Sequence, residues 1–163
     1  MKVKYCSFIA LVVTAFASLA AGPDYTQKIQ IDADNLSSIK ENVLTYRNNV
    51  VITQGSMQMK ADQLEINASA GQGKEVYVAT GNPVSYSQLM EDGKQVTATA
   101  TEMRYDPSSR TLTLSGDAEL TQSGSVVKAS TIRYNVEKQE LSADSNETRR
   151  VTTIFTPEEK NNP

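Results

Sequence analysis

The sequence predicts an all-β protein: an open β-jelly roll, a folded-over antiparallel sheet built from bent-strand repeats. Three observations carry that prediction. From Asp24 to Thr156 no stretch keeps the 3.6-residue period of an amphipathic helix, whereas alternation of apolar and polar residues runs throughout. The alternation breaks step at recurring places. A register of 34 residues, marked by Gln54, Gln88 and Gln122, repeats the pattern along the chain.

Taken in order, residues 1–20 read as a secretory signal. Lys2 and Lys4 precede an apolar run from Phe8 to Leu19, and Ser18-Leu19-Ala20 is the best cleavage site. The run is short for a membrane span, which needs about twenty residues. Cys6 lies ahead of the apolar core and leaves with the signal, so the product has no thiol for a disulfide or for lipoprotein processing. Export with cleavage of the signal is the expected outcome. Residues 21–156 then form one domain, and the charged, proline-bounded stretch 157–163 is expected to be a disordered tail.

The bent strand is clearest at Met57, Met59 and Ala61, which alternate on odd numbers, followed by Leu64 and Ile66 on even ones. Successive side chains of a strand point to opposite faces, so one apolar face survives that skip only if the strand bulges or turns a corner at Asp62-Gln63. The same figure recurs as Ile29, Ile31, Ala33 then Leu36. It recurs again as Val96, Ala98, Ala100 then Met103, Tyr105, and as Val127, Ala129 then Ile132, Tyr134. A second figure precedes each marker glutamine. Stepping back two, four and ten residues from it gives Ile52, Val50, Leu44; Tyr86, Val84, Val78; and Leu120, Ala118, Leu112, nine apolar residues expected to face inward. Six before each glutamine stand Asn48, Asn82 and Gly116, types that tolerate a kink. Val151-Thr152-Thr153-Ile154 reads as the end of a worn fourth copy. Turn chemistry lies at Asn48-Asn49, residues 70–74, 91–94 and 106–109, and Ser123-Gly124. Stacked repeats place the strands near Ile29 and Ile154 at opposite ends, each with an unpaired edge.

Composition narrows the function. Without the signal the chain keeps 14 basic against 19 acidic residues, a net charge of −5, and has no Cys, His or Trp. An acidic chain without a compact basic patch argues against nucleic acid. Lys60, Lys94, Lys128, Arg149 and Arg150 read as a solvated face that could also meet phosphorylated sugars. Without His or Cys there is no Ser-His-Asp or Cys-His arrangement and no His-based zinc site, so no catalysis, metal or cofactor is expected. Asp32 with Asp34, Asp62 with Glu65, and Glu91 with Asp92 could supply the paired carboxylates of a glycosidase. Their places at inferred corners and turns make them structural instead.

The signal, Ile29-x-Ile31-x-Ala33-Asp34, Asn49-Val50-Val51-Ile52-Thr53-Gln54-Gly55, Lys60-Ala61-Asp62, residues 71–76, Gly81-Asn82-Pro83 and Arg150-Val151-Thr152-Thr153 together resemble the OstA-like family of periplasmic lipopolysaccharide-export proteins. The resemblance implies a β-jelly roll that holds the acyl chains of lipopolysaccharide inside and bridges the two membranes. Its implied partners are an inner-membrane lipopolysaccharide-export complex with LptC-like docking, an outer-membrane LptD-like translocon, and further copies of itself, head to tail.

On that reading the inward line Ile29, Ile31, Tyr46, Ile52, Met57, Met59, Tyr86, Met103, Tyr105, Leu112 and Tyr134 doubles as lipid wall, and Ile29, Ile31, Val151 and Ile154 form the partner edges. Read from the residues alone, the same line is ordinary core. Two other readings stand beside lipid carriage. A structural β-repeat protein that assembles end to end without lipid requires a closed, packed core, and a carbohydrate-active enzyme requires carboxylates facing each other across a cleft.

Overall fold

The computed structural model describes residues 22–156; the expected signal and the tail 157–163 lie outside the described residues. After one 3₁₀ turn, Asp24–Thr26, ten antiparallel strands follow: β1 (Ile29–Asp32), β2 (Asn35–Lys40), β3 (Val43–Gln54), β4 (Met57–Asn67), β5 (Val76–Leu89), β6 (Gln95–Asp106), β7 (Thr111–Gln122), β8 (Ser125–Asn135), β9 (Glu140–Asp144) and β10 (Thr152–Ile154). The sheet runs β1-β3-β4-β5-β6-β7-β8-β10, with β2 also on β3 and β9 also on β8.

Six long strands, β3 to β8, are bent near their middles. Every ladder between them breaks register there, as between Arg47 and Val50 on β3 or Ser115 and Ala118 on β7. The bends divide one continuous sheet into two facing leaves. The first holds β1, β10 and the halves of the long strands nearest residues 50–61, 84–100 and 118–129. The second holds β2, β9 and the other halves. This is the open, folded-over sheet expected, and its interior is the line of alternating residues that skips at each bend. Met57, Met59 and Ala61, then Leu64 and Ile66, are all buried, as are Val96, Ala98 and Ala100, then Met103 and Tyr105.

Local chemistry sets each bend. Asn48 and Asn49 both take positive φ, 65° and 50°, so this pair kinks the inside of β3 and is not the turn between strands that its residue types imply. Gly116 (φ 74°) and Asp117 (φ 48°) do the same in β7. A Cβ on Gly116 would stand 2.0 Å from Thr101 Oγ1, which itself donates to the Ser115 carbonyl at 3.1 Å, so the neighbouring bend packs into the space glycine leaves.

Three expectations need correction. Val78 does not face inward. Pairing of β5 resumes four residues on, from Thr80 to Val84, where β3 and β7 need three. The extra residue at Gly81-Asn82-Pro83 reverses the parity before the bend, so Tyr77 and Ala79 point in instead. The figure from Ile29 to Leu36 is not one bent strand. It breaks at Ala33-Asp34, where the Asp34 N–H donates to the Asn48 carbonyl (3.0 Å) and Asp34 Oδ2 accepts from Asn49 (2.7 Å), and Leu36 beyond it is half exposed. Val151 lies just before β10 rather than within it.

Glu41-Asn42 was missed as a turn, whereas Ser123-Gly124 was expected. Glu41-Asn42 joins β2 to β3 with φ of 50° and 63°, matching Ser123-Gly124 with 50° and 79°, the all-positive geometry that suits the twist of a tight hairpin. The expected positions of the ends hold: β1 and β10 bound the sheet at opposite ends, each paired on one side only.

Gly116→Ala places a side chain in the left-handed region and against Thr101. It should lower stability by about 1–3 kcal/mol, read as a reduced urea midpoint with an unchanged slope. A midpoint equal to that of the parent would show that the β7 bend does not depend on glycine.

Candidate functional site

The inner surface between the leaves runs along the sheet from β1 to β9. Of the eleven residues expected to line it, Ile52, Met57, Met59, Tyr86, Met103, Tyr105, Leu112 and Tyr134 are fully buried there. Ile29, Ile31 and Tyr46 pack on the same core but are only partly buried, because β1 and the start of β3 stand at the uncovered end. The structure therefore brings all eleven to one face. Of the residues expected at the edges, Val151 and Ile154 are 41% and 51% exposed, and the unforeseen Phe155 beside them is 78% exposed.

The leaves meet again at a mouth opposite the bends, where turns and strand ends of one approach those of the other. Tyr105 from the second leaf donates its hydroxyl to Gln54 Oε1 of the first at 3.3 Å, and the Tyr134 hydroxyl donates to Met90 Sδ at 3.6 Å. Tyr86 donates to Gln88 Oε1 at 2.6 Å. The row is buried. Burial pushes the hydroxyls of Tyr86, Tyr105, Tyr77 and Tyr134 above their ordinary pKa of 10.0, with neighbouring tyrosines or carboxylates adding to burial at each; only the Arg110 charge, beside Tyr105, opposes it. The interior is thus apolar and neutral at any physiological pH, with methionines and tyrosines as its adaptable members.

The 3₁₀ turn lies across this mouth. Asp24 accepts from the Ser56 N–H (2.8 Å), from the Ser56 hydroxyl and from Gln88 Nε2 (3.0 Å). Gln54 Nε2 donates to the carbonyls of Tyr25 (3.3 Å) and Gln27 (3.0 Å), and the Arg110 guanidinium sits 4.2 Å from the centre of the Tyr25 ring. Beneath the turn a small space of about 10 Å³, lined by Met57, Met59, Tyr86 and Tyr105, is no bigger than one water needs. Sequence reasoning missed Asp24, Tyr25 and Arg110 as parts of this site. The signal was the 34-residue spacing of Gln54 and Gln88, read there as a register mark only.

The paired carboxylates do not form a cleft. Asp34 bonds Asn49, Asp32 accepts from Gln30, and Asp92 pairs with Lys94 at 3.4 Å. Among the described residues no group of three or more Asp and Glu side chains comes together to hold a metal ion. Lys128 pairs with Glu119 at 2.7 Å and Arg149 with Asp117, so these two residues of the solvated face take part in surface ion pairs. Among the described residues no helix is long and apolar enough to cross a membrane.

Tyr86→Phe leaves the buried Gln88 oxygen without its donor and should cost about 1–3 kcal/mol at neutral pH in urea titrations. The pH dependence follows from the raised tyrosine pKa values. The unfolded chain loses phenol protons near pH 10 while the fold keeps them, so this stability is complete below about pH 10 and falls as pH rises further. That decline should be shallower in Tyr86→Phe; an identical slope would count against burial of its hydroxyl.

Comparison with known proteins then places the chain. A family model described as LptA/(LptD N-terminal domain) LPS transport protein matches residues 30–140. The lipopolysaccharide export system protein LptA of Haemophilus influenzae is 40% identical over 154 residues, 92% of this chain and 90% of that protein. LptA of Escherichia coli K12 is 34% identical over 158 residues, 94% of this chain and 85% of that one. The crystal structure of LptH, described as the LptA-homologous periplasmic component of the lipopolysaccharide transport device of Pseudomonas aeruginosa, superposes with a TM-score of 0.75 at 24% identity. It covers 82% of this chain and 99% of that one, a likeness that shows the fold. By sequence match over most of its length, this chain belongs to the LptA/(LptD N-terminal domain) family of lipopolysaccharide transport proteins.

Proposed function

We propose that this protein is a periplasmic carrier that binds lipopolysaccharide and passes it from the inner to the outer membrane within an export system. The carrying observation is the uninterrupted apolar inner face between two open sheet ends, in a chain whose relatives bear the name of lipopolysaccharide export proteins. An acyl chain of a dozen carbons resists exposure to water by about 10 kcal/mol at ~0.8 kcal/mol per methylene, so a multi-acyl lipid needs such a sheltered path across an aqueous compartment. The relatives are transport proteins rather than enzymes, and no catalytic role is proposed here.

Finer parts of the reading concern partners. The exposed β1 and β10 edges, with Ile29 and Ile31 at one end and Ile154 with neighbouring Val151 at the other, suit strand addition. Head-to-tail addition extends into a filament rather than closing a dimer. Such a filament would join an LptC-like inner-membrane component to an LptD-like outer-membrane translocon and keep the inner faces in line.

The inner residues are buried against one another, the arrangement expected of the end-to-end structural protein without lipid. Family membership decides for carriage, and closure becomes a condition that a lipid must overcome.

In-cell photocrosslinking tests the reading, with the probe at buried Tyr105 and, as control, at outward Arg104. Lipopolysaccharide adducts are expected at position 105 and not at 104. Adducts at neither position, in protein that is folded and exported, would favour the structural role.

A further inference from the structure

The marker glutamines stand at the mouth-side ends of β3, β5 and β7, and the first two are almost fully buried, at 5% and 7% exposure. Each has its amide turned by a tyrosine. Because Oε1 of Gln54 accepts from Tyr105 and Oε1 of Gln88 from Tyr86, both NH₂ groups must aim at the turn across the mouth. They meet two backbone carbonyls, of Tyr25 and Gln27, and one carboxylate, of Asp24. The Tyr25 ring adds an apolar body under the Arg110 cation.

Two carbonyls, an anion and an apolar body are the groups found where acyl chains join a phosphorylated sugar. The turn at Gly55 is shaped for this segment. At its φ of 60° a Cβ would lie 2.1 Å from Asp24 Oδ1 and 3.0 Å from the Asp24 Cα.

We propose that Gln54 and Gln88 form a binding site for the ester and amide carbonyls of an acylated, anionic glycolipid, and that residues 22–27 are an internal strap that occupies this site until lipid displaces it. The inference rests on the carrier reading above. Displacement exchanges one set of acceptors for another, so neither buried amide is left unpaired at any stage. It also removes the segment that closes the space above Met57, Met59 and Tyr86, where an acyl chain would enter. Gln122 occupies the same place one repeat on, half buried and without a hydrogen bond to the strap among the described residues, and continues the row toward β10.

A strap that competes with lipid lowers the apparent affinity by the fraction of molecules in which the mouth is open. Asp24→Ala removes the carboxylate that holds the strap and should raise apparent affinity for purified lipopolysaccharide about tenfold. Gln54→Leu and Gln88→Leu loosen the strap but destroy the site, and should lower it about tenfold. The protein has no tryptophan, so Tyr25→Trp supplies a single indole whose emission should shift to the red on lipid addition as it leaves Arg110 for water. Circular dichroism and the thermal midpoint check that each variant is folded, and the indole readout needs none of the other variants. Lipid bound by all forms with equal affinity and no emission change would overturn the strap while leaving the carrier reading intact. Lipid bound by none, including the parent, would sink both.

Discussion

Everything in this fold depends on a strand turning a corner without losing its apolar face. Strand geometry alternates faces without exception, so a corner must be accompanied by a change of parity on one strand or an extra residue on its partner. β4, β6 and β8 skip in parity, at Ala61 to Leu64, Ala100 to Met103 and Ala129 to Ile132. β3 and β7 take up the mismatch in left-handed residues, Asn48-Asn49 and Gly116-Asp117, and β5 in one additional residue. Adjacent corners lie side by side, so six bends become one crease and the sheet closes on a single interior.

That construction leaves two kinds of opening. The sheet has ends, at β1 and β10, because repeats stack along a line and nothing returns the last to the first. It also has a mouth, because two leaves hinged at a crease meet on the far side only through side chains. The ends are half-buried or exposed apolar residues with free strand edges. The mouth is a row of tyrosines and glutamines closed by a short turn. The proposed carrier of a lipid with a bulky polar head would use both: ends that could meet a partner, and a slot along which the head stays in water while its chains are sheltered.

The packing of the interior fits this use. Most of its buried residues are alanine, valine, leucine and isoleucine, residues of few rotamers, and small alanines stand beside the crease, as at Ala79, Ala100, Ala118 and Ala129. Met57, Met59 and Met90 lie toward the mouth with Tyr86, Tyr105 and Tyr134, and these are the side chains that repack most easily or carry a polar tip to the rim. Rigidity at the hinge and adaptability at the slot come from composition alone.

Sequence alone determined the class of fold, the crease and most of the interior, because parity is a local property that any strand obeys. Met57 to Ile66 declares its bend in ten residues, and no partner is needed to read it. The parity skips and the 34-residue register together put eight of the eleven named wall residues inside. Tertiary structure decided what depended on counts across strands. The inward face of β5 before its bend turns on one extra residue relative to β3, which no single strand reveals, so Val78 was read inward when Tyr77 and Ala79 are. The closure of the mouth was illegible for the same reason. Asp24 and Gln88 are 64 residues apart, Tyr105 and Gln54 51 apart, and only the folding of one leaf onto the other makes them neighbours.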